Sequence, residues 1–388
     1  MYISQSRIVI AIALLSLYAC LEGYLLLRAL SLSIAKKTDR KIPLWVYWPI
    51  ALLGAGLYLY TSFSRGGPRS LFSLASSYWG LFIFIPFFIL ADILSIGTFL
   101  FRRARLHSGQ WIRQGVLRQG VLRLSVLVVA LVTIALGSYS ARYATATGYS
   151  VTIEKPLPKN TLRVVLISDL HIGSMVHKKE LERIVSKINT LEGDIVLIAG
   201  DIIDRDLDVY IKENLGEELG EIKAPLGVYA VPGNHDYFGG GAGILELEKQ
   251  LAAAGVKMLA DETVLVDNAF YLTGRNDLSA GRRGAGRKPL SELTRDLDPS
   301  LPLLVMDHQP VNLGEAEACG ADLQVSGHTH GGQIWPGPIF TKRLYENAYG
   351  FLRKGNTAIV VTCGCGTWGP PLRIGTRSEI VYIDLKNP

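Results

Sequence analysis

Hydrophobic and polar positions follow two different rhythms along the chain. Four apolar runs, near residues 8–30, 44–63, 74–101 and 121–140, are each long enough to cross a hydrocarbon core, which takes about 20 helical residues. They predict an all-α, four-helix transmembrane region over 1–140. The first run is too long for a secretory signal and three more follow it, so it reads as an anchor. From about residue 161 the runs shorten to β-branched segments separated by amphipathic stretches. Strands are expected at 163–168, 194–199, 228–231, 269–273, 303–306, 322–326, 358–362 and 379–384. A helix near 177–191 gathers Leu181, Ile184, Val185, Ile188 and Leu191 on one face, and further helices are expected near 207–222 and 242–254. This alternation predicts an α/β domain over 161–388 with part of its sheet parallel. Residues 141–160 read as a linker.

Charge follows the same division. Of the net +6, residues 1–150 contribute +12, from 15 Lys and Arg against Glu22, Asp39 and Asp92, and residues 151–388 contribute −6. The basic excess lies between apolar runs, where membrane topology accounts for it. The second region has no basic surplus to neutralise a phosphate backbone, so no nucleic-acid partner is expected. Lys36, Lys37, Arg40 and Lys41 follow the first span, and Arg102, Arg103, Arg105, Arg113, Arg118 and Arg123 follow the third. Placing both groups in the cytoplasm puts the second region on the extracytoplasmic side. The repeated RQGVL unit at 113–122 reads as a solvated or headgroup-contacting loop. Glu22 and Asp92, inside expected spans, read as hydrogen-bonded or protonated carboxyls. Cys20, Cys319, Cys363 and Cys365 imply no disulfide framework.

Chemistry concentrates where the strands end. Asp169 and His171 follow the first strand of the second region, and Asp201 and Asp204 follow the next. Asn234, His235 and Asp236 follow the third, His308 a later one, and His328 and His330 another. Ligands of open α/β sheets bind at the carboxyl ends of strands, so these side chains are expected to converge. Five of the seven histidines fall in these motifs. Carboxylate, imidazole and amide oxygen together suit borderline divalent ions such as manganese, iron or zinc. Seven good ligands among these groups exceed what one ion takes, and one carboxylate bridging two metals accounts for all of them.

The ordered motifs D-x-H (169–171), GD-x-x-D (200–204), GNHD (233–236), the lone His308 and GHTH (327–330) resemble the calcineurin-like metallophosphoesterase superfamily. GHTHGGQ (327–333) and GPPLRIGTRSEI (369–380) are similar to its bacterial membrane-associated branch. The resemblance covers nearly all of 161–388 and implies an αββα sandwich. It also implies one metal on Asp169, His171, Asp201 and His330, and a second on Asp201, Asn234, His308 and His328, with Asp201 bridging. The implied reaction is hydrolysis of a phosphomonoester, phosphodiester or pyrophosphate by attack of a metal-bridging hydroxide. His235, beside a ligand but not one itself, is the expected general acid, and Asp204 is expected to orient it. Asp236 is a weaker candidate for that orienting role. A tyrosine stands at the position of Asp204 in purple acid phosphatases, so that variant is not expected here.

Two loops remain. The stretch 275–288, with five basic side chains, reads either as a grip for an anionic group or as a solvated loop. GGGAG (239–243) reads either as a place of close substrate approach or, preferably, as a flexible turn. A membrane tether makes a lipid-linked or envelope-derived substrate the expectation. The competing readings are a membrane-anchored binding or regulatory module that keeps metals for structure, and a transporter, for which no polar stripe in the spans argues.

Overall fold

The computed structural model describes residues 111–388, except 158–159, 174–175, 205–206, 238–239 and 281–285, together with Ile93. The chain divides into two units, Met1–Leu136 and Gly137–Pro388. The expected spans at 8–30, 44–63 and 74–101, with Glu22 and Asp92, lie outside the described residues. Among the described residues, no helix is long and apolar enough to cross a membrane. The fourth expected span, 121–140, falls within a helix, α1 (Trp111–Arg142), several of whose side chains lie outside the described set. The RQGVL repeat, expected as a loop, is helical and forms the start of α1. Its Arg, Gln and Leu residues are good helix formers and outweigh two glycines.

After α1 come β1 (Thr145–Thr152), β2 (Thr161–Ile167), α2 (Lys178–Asn189), β3 (Ile195–Ile198), α3 (Asp208–Lys212), α4 (Leu215–Gly220), β4 (Val228–Ala230), α5 (Gly240–Ala253) and β5 (Val256–Met258). There follow β6 (Glu262–Val266), β7 (Phe270–Gly274), α6 (Leu290–Leu293), β8 (Leu303–Met306), α7 (Gly314–Ala318), β9 (Leu323–Ser326), α8 (Gly337–Leu344), β10 (Gly350–Lys354), β11 (Thr357–Val361) and β12 (Glu379–Lys386). The strands form two six-stranded sheets, ordered β1-β12-β2-β3-β4-β5 and β10-β11-β9-β8-β7-β6. Strands β2 to β5 are mutually parallel, as are β7, β8, β9 and β11.

Period-two alternation explains why the sheets stack. In β2, Val164 and Leu166 join Ile195, Leu197, Leu304, Met306, Leu323, Val325 and Val381 in a core shared by both sheets. Val165 and Ile167 face the other way, onto Leu181, Ile184, Val185 and Ile188 of α2. On the far face of the second sheet, Leu303 and Val305 pack with Leu290 of α6 and Ala316 of α7. Helix, sheet, sheet, helix is the αββα layering implied by the resemblance.

Three sequence expectations need correction. The range 141–160 is not simply a linker, because β1 runs through it as an edge strand paired in parallel with β12. TATGYSVT carries few large apolar residues, and most of its positions stay exposed or half-buried, so its strand character was masked. The single helix at 207–222 is two, α3 and α4, broken at Asn214, which takes a left-handed conformation (φ 52°) that asparagine tolerates well. Residues 240–243 open α5 rather than forming a flexible turn.

Candidate metal centre

The turns that leave the strands carry the candidate residues, and they hold one another in place. Asp169 N–H donates to the Gly200 carbonyl at 3.0 Å and His171 N–H to the Asp201 carbonyl at 3.1 Å. Asp169, His171, Asp201, His328 and His330 all have positive φ, between 48° and 70°. This sparsely populated region is strained for most side chains and persists at sites the surrounding structure over-determines. A glycine makes the closest approach possible: a Cβ at Gly233 would lie 2.2 Å from both the Asp201 amide nitrogen and its Oδ1.

These turns bring all seven expected ligands into two adjoining groups. In the first, His171 Nε2 lies 3.1 Å from His330 Nε2, and Asp169 Oδ1 lies 3.4 Å from His330 Nε2 and 3.9 Å from His171 Nε2. In the second, His308 Nε2 lies 3.2 Å from Asn234 Oδ1 and 3.3 Å from Asp201 Oδ1, and His328 completes a metal-capable cluster with Asp201 and His308. The other Asp201 oxygen, Oδ2, lies 3.8 Å from His171 Nε2. One carboxylate therefore faces both groups.

Three of the four expected imidazole ligands are held deprotonated, whereas burial raises the Asp169 carboxyl. Burial lowers His171 and His328 to about 4, and for His328 the charge on His308 adds to the fall. Burial also holds His330 well below the usual imidazole range, with His171 and Arg373 reinforcing it. These rings stay neutral at pH 7 and offer lone pairs. Burial alone would lower His308 too, but the adjacent Asp201 carboxylate overrides it and raises His308 well above its ordinary value. Asp201 is correspondingly held far below the carboxylate range, the His308 ring outweighing burial. The fold thus stabilises positive charge between these two groups. Asp169 Oδ1 is buried and has no hydrogen-bond partner, an unusual state for a carboxylate oxygen unless a cation meets it. The donor set and this orphaned oxygen fit divalent metals.

His235 stands beside the first group, its ring 4.7 Å from that of His171. Its Nδ1 lies 2.8 Å from the backbone carbonyl of Asp204 and 3.4 Å from that residue's Oδ1. Asp204 therefore orients His235 more closely through its carbonyl than through its carboxylate. The same Oδ1 lies 3.7 Å from His171 Nδ1, beyond hydrogen-bond reach. Burial lowers the pKa of His235, but Asp204 and Asp201 outweigh it and the net shift is upward.

Asp236 does a different job from the orienting role the sequence offered it. Its Oδ1 accepts from the N–H groups of Ile202 and Ile203, both at 2.9 Å, and its Oδ2 from Gly233 N–H at 2.8 Å. It clamps the turn after β3 to the turn after β4. Burial pushes its pKa up to about 7, Asp201 adds to the rise, and the N–H donors pull the other way. Sequence reasoning also missed Arg373. This buried guanidinium donates to the carbonyls of His330 (3.2 Å), Cys363 (2.6 Å) and Gly366 (2.8 Å), fixing the turn that carries His330. Nothing in its sequence context marks such a role.

Two of the five basic residues in 275–288 turn inward. Arg275 and Arg287 both pair with buried Asp307, and Arg275 also meets Glu315 at 2.8 Å. They brace the segment leading to His308 and are not presented to an anion. A cavity of about 630 Å³, lined by Lys155, Asp298, Asp322 and Arg353 among others, contains none of the candidate ligands. It borders Leu303 and Thr357, where β8 and β11 begin, away from the strand ends that carry the candidate ligands.

Residues 162–332 match the family model for calcineurin-like phosphoesterases. An uncharacterised metallophosphoesterase of Aquifex aeolicus is 30% identical, the match covering 65% of this chain and 96% of that protein. One from Campylobacter jejuni is 33% identical, over 61% of this chain and 62% of that protein. A transmembrane protein with metallophosphoesterase domain from Danio rerio is 34% identical, over 61% of this chain and 57% of that protein. The match thus spans about 60% of the length of the latter two relatives.

Proposed function

The chain belongs to the calcineurin-like phosphoesterase family, and from that premise we propose that it is a membrane-anchored, dinuclear-metal phosphoesterase. Its substrate carries a phosphomonoester, phosphodiester or pyrophosphate bond. Asp169, His171, Asp201 and His330 hold one ion, and Asp201, Asn234, His308 and His328 hold the other. The observation that carries this reading is Asp201, whose Oδ1 and Oδ2 lie 3.3 Å from His308 Nε2 and 3.8 Å from His171 Nε2 respectively. When bound, such a metal pair supplies an acidified water as nucleophile and positive charge for the phosphoryl oxygens.

The chain's own residues do the rest. Nδ1–H of His235 donates to the Asp204 carbonyl, which fixes the ring and leaves Nε2 to carry the proton for the leaving oxygen. The upward shift of His235, in which the Asp204 and Asp201 carboxylates outweigh burial, favours the protonated ring. Asp204 and Arg373 position rings and turns without touching the reacting bond. We read the apolar runs before Gly137 as membrane anchors and the basic residues between them as cytoplasmic, which puts the domain on the extracytoplasmic side of a bacterial cell membrane. A module keeping metals only for structure has no use for His235 and its orienting carbonyl.

The test is hydrolysis of a water-soluble aryl phosphodiester by the purified full chain. A chelator should abolish turnover, and manganese, iron or zinc should restore it. His235→Ala should lower kcat by about 10²–10⁴-fold while bound metal stays unchanged. Absence of turnover with every divalent metal would sink the enzyme reading.

A further inference from the structure

The chain that leaves the metal cluster runs straight into an exposed apolar surface. Beyond the 3₁₀ turn at His330–Gly332, the Gln333 side chain donates to the Trp368 carbonyl at 2.8 Å and accepts from Trp368 N–H at 3.0 Å. Trp335 N–H donates to the Ile374 carbonyl at 2.8 Å. Helix α8 follows, and none of its residues is buried. Trp335, Ile339, Phe340, Leu344 and Trp368 are all exposed, Leu344 to 78%. Tyr345 ends the helix with its ring edge-on to His328, 6.1 Å between centroids. The C-terminal end of α8 therefore lies beside a candidate ligand, and its N-terminal end follows His330 by seven residues.

Large apolar residues scattered singly over a surface need no explanation, but five on one short segment and its bonded neighbour do. The polar residues beside them indicate what covers them. Lys342 and Arg343 are exposed on the same helix, and no acid occurs between His330 and Tyr345. Tryptophan, aliphatic and basic side chains together make a bilayer-interface surface, matched to anionic headgroups. A second observation points the same way. Arg373 N–H donates to the Gly137 carbonyl and Ser378 N–H to that of Ser140, both at 3.0 Å. The segment bonded to Trp335 is thus also bonded to the last turns of α1, at the C-terminal end of the apolar run 121–140.

We infer that α8, with Trp335 and Trp368, rests in the interface of an anionic bilayer and presents the metal cluster to phosphoesters carried on lipid headgroups. The substrate half rests on the phosphoesterase function proposed above; the docking half does not.

Two measurements on the full chain, reconstituted in vesicles of phosphatidylcholine and phosphatidylglycerol, separate the halves. An environment-sensitive fluorophore at Phe340→Cys should be quenched at least about twofold by brominated lipid, while one at Lys249→Cys on α5 is not, with the labelled parent as blank. Absence of quenching at position 340 overturns the docking. So does a blue shift without lipid quenching, which would mark a second copy or a protein partner. In the second measurement, Ile339, Phe340 and Leu344 are all changed to Asp. Turnover of the soluble aryl phosphodiester should stay within about twofold, and that of the same group carried on diacylglycerol should fall at least about tenfold. Equal effects on both overturn the substrate half. A parent protein inactive on both esters but quenched at position 340 sinks the phosphoesterase reading and leaves the docking standing.

Discussion

Replacing Asp236 by alanine tests whether one carboxylate holds together the turns that carry Asp201 and Asn234. Asp236 is fully buried and accepts from Ile202, Ile203 and Gly233 N–H at 2.8–2.9 Å. Alanine leaves those three donors without an acceptor. Each orphaned buried donor costs about 1–3 kcal/mol, and water entering the vacated space recovers part, so the net loss is about 3–5 kcal/mol. Asparagine keeps one oxygen for two of the donors but turns its amide toward Gly233 N–H, for a loss of about 1–3 kcal/mol. In a domain of this size each kcal/mol lowers Tm by about 2–4 °C. The expected falls are therefore about 6–20 °C for alanine and about 2–12 °C for asparagine. Thermal unfolding of the full chain in detergent, with a chelator present so that metal binding does not add to stability, reads both. A fall below about 1 °C in Asp236→Ala would refute the clamp, since three unsatisfied donors cannot be that cheap.

Other expectations follow from the same geometry. In Gly233→Ala the new Cβ would meet Asp201 N and Oδ1 at 2.2 Å, so Asp201 must move. Aryl phosphodiester turnover should fall at least about 10²-fold, the usual result of displacing a catalytic group by an ångström; wild-type kinetics would show that the turn relaxes freely. Burial pushes the thiols of Cys363 and Cys365 up to about 12. At pH 8 they therefore stay almost wholly protonated, with roughly one molecule in 10⁴ as thiolate. Iodoacetamide should modify half-buried Cys319 and spare these two until the protein is denatured. Peptide mass spectrometry showing all three alkylated alike would contradict it.

Every strand expected from a short apolar run is present, because consecutive Val and Ile in β2, β3 and β11, and consecutive Leu, Val and Met in β8, fill two buried faces at once. The strands that escaped notice lack that signal. β5 is three residues long, β6 buries only Val266, and β10 has no buried residue. Each depends on a partner strand more than on its own composition. The site was legible because its ligands belong to residue types that have few other reasons to follow a strand directly. Asp204 was expected to orient His235 through its side chain, but its carbonyl makes the closer contact, and a backbone atom has no sequence signature. Asp236 looked like a partner for His235 because it is adjacent in sequence, whereas the turn directs its carboxylate away, onto backbone N–H groups. Arg373 supports a turn some forty residues earlier, a relation that only folding creates.

Metal stoichiometry in wild type and Asp201→Asn, read together with turnover, tests the bridging role of Asp201 most directly. Elemental analysis of the purified full chain, after equilibration with manganese or zinc and removal of free ion, should give two ions per chain. Asp201→Asn should retain at most one and lose at least about 10²-fold in aryl phosphodiester hydrolysis. A wild type that binds a single ion, or an Asp201→Asn variant with two ions and near-normal turnover, would contradict the account.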